Sequence, residues 1–302
     1  MAGRSRRLIA TVVVMTSDAA QTNGELPELD HPLLITALSG WIDAGGAAAA
    51  ALDAIVNECT ANVIATFVSD EYIDYRARRP VLRLSEGVHA EMAWQEIQLL
   101  AGSTPDGRDV VLLRGPEPDM KWNRFSAVIT ELAQHLGVVR MVSLGAYPFT
   151  SPHTRPPRIS VTAPTDAAIA GLPYLRSSLE VPAGVVSVVA EACSSAGIPA
   201  VGLWAQVPHY ASAMPYPDAA IALVDALCDL TGVELAVDEL RSDAVAQRQR
   251  IDALIADNPE HAAMVNRLEI AHDASDDATP VSFDIPSGDQ LAAEVERFLR
   301  DQ

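Results

Sequence analysis

Four side chains with catalytic or anion-binding chemistry stand just after short β-branched runs. Asp43 lies in Ser39-Gly40-Trp41-Ile42-Asp43-Ala44-Gly45-Gly46, His153 and Arg155 in His153-Thr154-Arg155-Pro156, and His209 in Val207-Pro208-His209-Tyr210. A histidine exchanges protons near neutral pH, and an arginine holds a carboxylate or phosphate through paired N–H groups. These types therefore suit proton transfer on a small anion, or its recognition. Each also has a structural alternative. Asp43 stands where a helix cap belongs, and capping is the preferred reading. A lone loop histidine more often serves structure than catalysis, so no catalytic residue is assigned. Trp41, Gly45 and Trp122 complete the candidate ligand-binding set as pocket wall, Trp122 closing the stiff Arg114–Trp122 stretch that contains Pro116 and Pro118.

A second cluster is Asp74-Tyr75-Arg76-Ala77-Arg78-Arg79-Pro80. Its arginines suit an anion or a subunit contact, so Tyr75, Arg76, Arg78 and Arg79 are oligomer-contact candidates. Other signatures are missing. There is no GxSxG elbow, HExxH, HxH or P-loop lysine, and Lys121 is the only lysine among 21 basic residues. Cys59, Cys193 and Cys228 lie far apart with no CxxC, so no metal, disulfide framework or cofactor is expected. With 40 acidic residues the net charge is −19, which opposes binding to a phosphate backbone; no nucleic-acid partner is expected.

Strands and helices must position these groups. Buried strands are expected at 33–38, 63–68, 109–113, 138–144 and 200–205. Helices are expected at 47–56, through Phe125, Ile129, Leu132 and Leu136 up to Gly137, at 185–196 before Gly197, and from Pro217 to Leu230 before Gly232. That alternation specifies a mainly parallel sheet covered on both faces. Residues 70–92 break the rhythm and read as an antiparallel hairpin inserted in the sheet, turning at Glu86-Gly87; Met92 and Trp94 read as core. The expected organisation is a flexible 1–30 segment, an α/β core over 31–233 and an acidic helical subdomain over 234–302.

The tail from 234 carries 16 acidic and 6 basic residues. Val237, Leu240, Ala244, Ile251, Leu254 and Ile255 form an apolar stripe, Asn258-Pro259 starts a second helix, and a linker containing Asp273 follows. Ser287 with Gln290 starts a last helix. The subdomain packs on the core or roofs its ligand edge as a lid; packing is the preferred reading. At the other end Arg4, Arg6 and Arg7 precede the apolar run Leu8–Met15, which is too short to span a bilayer. A strand or an unordered leader is preferred over a signal peptide, and Met15 is an alternative start. The expected location is the cytoplasm, with no membrane partner.

In order along the chain, these segments resemble the proteasome assembly chaperone 2 family in its actinobacterial branch. The matching phrases are Gly40-Trp41-Ile42-Asp43-Ala44-Gly45, Asp74-Tyr75-Arg76 with Arg79-Pro80, and Gly115-Pro116-Glu117-Pro118 with Trp122 and Phe125. Leu144-Gly145-Ala146, His153-Thr154-Arg155-Pro156, Pro208-His209-Tyr210 and Asn266-Arg267-Leu268-Glu269 follow. The resemblance implies a three-layer α/β/α core like that of nucleoside phosphorylases and peptidyl-tRNA hydrolases. It further implies a hairpin used in self-association, a trimer favoured, and a C-terminal helical lid over a ligand site. Eukaryotic members can dock on the proteasome through a hydrophobic–tyrosine–any-residue tail; here the last residues are Leu299-Arg300-Asp301-Gln302, without that tyrosine. Two functional expectations stand. One is an oligomeric assembly factor binding a partner protein, proteasome subunits included, or a small anionic ligand. The other is a phosphorylase- or hydrolase-like enzyme acting on a small anion under the lid.

Overall fold

The structure, a computed structural model, describes residues 19–275. The Leu8–Met15 run and the helix expected after Ser287 lie outside the described residues. Ten strands are β1 (Ala20–Thr22), β2 (Leu33–Ser39), β3 (Asn62–Phe67), β4 (Val81–Ser85), β5 (Val88–Ala93), β6 (Gln98–Ser103), β7 (Asp109–Pro116), β8 (Arg140–Phe149), β9 (Ile159–Thr162) and β10 (Ala200–Pro208). Eight of them form one sheet in the order β1-β3-β6-β7-β2-β8-β10-β9. The central neighbours β7, β2, β8 and β10 are parallel, while β6, β1 and β9 run against their neighbours. Leu33 to Ala37 are buried on both faces, as a central strand of a covered sheet requires.

The longer helices are α1 (Ala47–Glu58), α2 (Trp122–His135), α3 (Val185–Ser195), α4 (Pro217–Thr231), α5 (Asp238–Ala256) and α6 (Pro259–Ser275). In α2 the spacing of Phe125, Ile129, Leu132 and Leu136 puts all four on one buried face. Burying each is worth about 1.5–3 kcal/mol. Gly137 at φ +74 then ends the helix in a conformation other residues rarely adopt. Helices α1 and α4 pack with the sheet into one apolar cluster, and α2 and α3 into the other on the opposite face. The architecture is a three-layer α/β/α sandwich.

Short β6 and β9 were not expected. Each pairs antiparallel beside the parallel centre; β9 has only four residues, and β6 mixes Gln98, Gly102 and Ser103 with a short apolar run and lacks β-branched residues. The hairpin also departs from expectation. Asp74 accepts the Arg76 N–H on its carboxylate, and its carbonyl takes the N–H groups of Ala77 and Arg78. This local bonding turns the chain, so residues 74–79 form no strand arm. The arms are β4 and β5, joined at Glu86 and Gly87, both at positive φ as a two-residue hairpin turn needs. They form a separate two-stranded sheet instead of joining the main one. Met92 and Trp94, expected in the core, are 45% and 49% exposed there.

Val237, Leu240, Ala244 and Ile251 seat α5 against the α4 layer. Leu254 does not join them and is exposed, while Ile255, one residue on and four from Ile251, packs against the cluster. The Asn258 side chain accepts the Glu260 N–H at 2.9 Å and caps α6. Asp273, expected in a linker, belongs to the last turn of α6.

Candidate functional site

Parallel strands deliver their carboxyl ends to one rim of the sheet, and the helices that follow them start there with exposed N–H groups and partial positive charge. Here the chain supplies its own carboxylates to those starts. Asp43 accepts the Ala48 and Ala49 N–H groups of α1 at 2.7 and 3.0 Å. Burial pushes its carboxyl above the usual range, while these amides pull it back. It therefore caps the helix across an intervening 3₁₀ turn, and its backbone bridges to Ala146 at β8.

Gly45 ties this loop to the one after β10. Its N–H donates to the Ser212 carbonyl at 2.8 Å, and its carbonyl accepts the Tyr216 N–H at 3.0 Å. With φ +64, and with any Cβ only 2.7 Å from that of Tyr216, the position excludes a side chain.

Glu117, after β7, is the residue the sequence reading missed. It is 8% exposed. One carboxylate oxygen accepts the Val185 N–H at the start of α3 at 2.6 Å; the other faces the Trp41 N–H at 3.4 Å. Its own N–H donates to the Ser39 carbonyl at 2.7 Å. Thus one buried carboxylate joins the ends of β2 and β7 to the start of α3. The available signal was an acid between two prolines directly after a strand. Trp41 donates its indole N–H to the Pro182 carbonyl at 3.0 Å and leaves half its ring exposed. Trp122 is not part of this group: it donates to the Pro118 carbonyl and packs in the α2–α3 layer.

His153 is 3% exposed. Its Nδ1 lies 2.8 Å from the Tyr210 hydroxyl and its Nε2 2.9 Å from the Asp252 carboxylate of α5. The His153 backbone N–H also donates to the Tyr210 oxygen at 2.8 Å. The Asp252 carboxylate can only accept, so in the neutral ring Nε2–H donates to it and Nδ1 accepts the Tyr210 hydroxyl proton. Burial pushes the Tyr210 hydroxyl up to about 12, so it stays a donor at neutral pH. Both histidine nitrogens are thereby occupied, leaving no free lone pair for a substrate proton.

Arg155 grips Asp273 through two 2.8 Å bonds and reaches Glu269 at 3.3 Å. The guanidinium holds the Asp273 carboxyl below its ordinary range. Arg158 donates to the His272 carbonyl. The ligand candidates His153 and Arg155, together with Arg158, bond to α5 and α6 and hold them on the rim. His209 is exposed beside Tyr210, ring centres 5.3 Å apart. So Trp41 meets Glu117 in one group, His153 and His209 meet Tyr210 in another, and the Gly45–Ser212 bond links the loops that carry them.

Of the oligomer-contact candidates, Tyr75 bonds Asp70 and meets the Trp94 ring edge-on, and Arg78 pairs with Asp119 at 3.0 Å. Arg76 and Arg79 are exposed. A cleft of about 340 Å³ lies beside the ends of β2 and β7 under α1, lined by residues that include Ala37, Leu52, Asp53, Glu96 and Arg114. None of the seven ligand-binding candidates lines it. Among the described residues no group of three His, Cys, Asp or Glu side chains is placed to hold a metal ion, and no helix is long and apolar enough to cross a membrane.

Comparison with known proteins follows the same outline. A Corynebacterium glutamicum protein of unknown function is 28% identical, covering 86% of this chain and 98% of its own, with a TM-score of 0.81. A Mycobacterium tuberculosis proteasome-assembly chaperone homologue is 36% identical over 77% of this chain and 99% of its own, TM-score 0.72. A Streptomyces avermitilis PAC2 family protein is 36% identical over 78% and 99%, TM-score 0.70. No curated protein matches the chain. The PAC2 family model matches residues 37–255, a span that holds both linked groups of the rim, and the chain belongs to the PAC2 family.

Proposed function

We propose that the protein is a self-associating binding protein of the proteasome-assembly-chaperone type, working in the cytoplasm, with the β4–β5 hairpin as its contact surface. The observation that carries this is the state of that hairpin. Register pairs Leu82 with Met92, Leu84 follows two residues after Leu82, and Trp94 stands just past the end of β5; all four are 39–60% exposed. A two-stranded hairpin is marginal in water unless a face is covered, and an apolar face of this kind marks an interaction site. Arg76 and Arg79 flank it and suit acidic residues on the partner. A second copy of the chain is the first occupant, in a trimer, and a proteasome subunit the further partner, in line with the name borne by the mycobacterial relative. Helices α5 and α6 serve as a fixed cover on the 31–233 core.

Light scattering tests this on wild type and Leu84→Asp, with pull-down against the host's 20S subunits. A trimer that the substitution dissociates, together with capture of a 20S subunit, supports the reading. A wild-type monomer at micromolar concentration, or no 20S association, overturns the corresponding half. The enzyme reading has less behind it, since His153, Arg155 and Asp43 are each engaged in bonds that hold elements together.

A further inference from the structure

Two half-buried arginines of this acidic chain pair with carboxylates, Arg78 with Asp119 and Arg155 with Asp273. Arg140 and Arg158 donate to backbone carbonyls in the last turns of α4 and α6, where the helix end adds partial negative charge. Arg114 has neither kind of partner. Its Nε and Nη2 both rest on the neutral amide oxygen of Gln98, at 3.1 and 3.0 Å. Among the described residues its Nη1 has no hydrogen-bond partner and no carboxylate pairs with the guanidinium within 4 Å. Gln98 is itself oriented by Glu96, whose carboxylate accepts the Gln98 amide N–H at 2.8 Å. The guanidinium is thus held in place by a neutral group, with one edge free.

Arg114 lines the cleft under α1. Register sets Ala37, Arg114 and Gln98 side by side on one face of the sheet. The alanines at 37 and 49 are too small to fill the space between sheet and helix, and Leu52 supplies an apolar wall. The opening lies at the carboxyl ends of adjacent parallel strands, where open α/β sheets bind ligands. Its volume of about 340 Å³ falls in the small-molecule range. Asp53 and Glu96, both exposed, put carboxylates on its lining; they repel phosphates and dicarboxylates but attract an ammonium group.

We infer that this cleft binds a small zwitterion of the amino-acid class. The carboxylate sits on the free edge of Arg114, the ammonium group near Asp53 and Glu96, and a short apolar side chain lies against Leu52. This goes beyond the assembly reading and does not rest on it.

The test uses the full chain in thermal-shift and titration-calorimetry experiments. The probes are L-valine, L-leucine, isovalerate, isobutylamine and inorganic phosphate, each at about 10 mM, enough to stabilise the fold measurably when the site is saturated. The expected result is binding of L-valine or L-leucine, weaker binding of isovalerate and isobutylamine, and none of phosphate. Arg114→Gln should lose about tenfold to a hundredfold in affinity, the worth of a charge-assisted hydrogen bond. Ala49→Leu, which fills the cleft and leaves the charge alone, should abolish binding and guards against an unfolded arginine variant. No binding of either amino acid, phosphate binding as strongly, or unchanged affinity in folded Ala49→Leu would overturn the assignment.

Discussion

Tyr210→Phe removes one oxygen and nothing else, at the point where the rim loops and the helical tail meet. That oxygen accepts the His153 backbone N–H and donates to His153 Nδ1, each at 2.8 Å. Since the His153 side chain is nearly inaccessible, water cannot replace both partners. Each buried polar group left unpaired costs about 1–3 kcal/mol, giving about 2–6 kcal/mol for the pair. Asp252→Asn is the informative contrast. It touches the same histidine, but its carboxylate is 57% exposed, so its loss should stay within about 1 kcal/mol. Urea unfolding of the three proteins, with a common slope, measures both effects as shifts in midpoint. A Tyr210→Phe loss below about 0.5 kcal/mol, less than any buried group is expected to cost, would refute the reasoning. So would a loss no larger than that of Asp252→Asn, for burial and not contact is claimed to set the size.

Three further outcomes are expected. Gly45→Ala should destabilise by about 2–4 kcal/mol, since it combines a positive φ with a Cβ placed 2.7 Å from Tyr216; a thermal melt within error of wild type contradicts this. Stability should fall in alkali. Burial pushes the Tyr210 hydroxyl and the Cys59 thiol up to about 12, whereas in the unfolded chain they ionise near about 10 and 8.5. The unfolded state therefore loses these protons first, so the contribution is full below about pH 8.5 and is lost as pH rises towards 12. Melting temperatures by circular dichroism should decline across that window, less steeply in Tyr210→Phe; a flat profile counts against it. Finally, Arg155→Ala frees Asp273 and Glu269, and limited proteolysis should then cut within α6 faster while the core melting temperature changes little.

Much of the layered core was legible because its signals are local. β-branched runs, the α2 spacing and the glycines ending α2, α3 and α4 act over a few residues, and such runs fold the same way in most surroundings. Asp43 as a cap was legible for the same reason, its partners being five and six residues away. Glu117 was not: its partners Trp41 and Val185 lie 76 and 68 positions off. Met92 and Trp94 show the converse failure, because apolar type alone does not tell whether a strand joins a covered sheet or stands clear of it.

The amino-acid order by itself determined which segments become strand or helix, and that the parallel strands leave their following turns at one rim. Only the three-dimensional arrangement decided which charges meet there. His153, Arg155 and Asp43 became fasteners, while Arg114, which opens the stiff stretch at the end of β7, was left beside an open cleft. Pairing between side chains depends on distances across the fold, and those are set by the packing of whole elements, not by spacing along the chain.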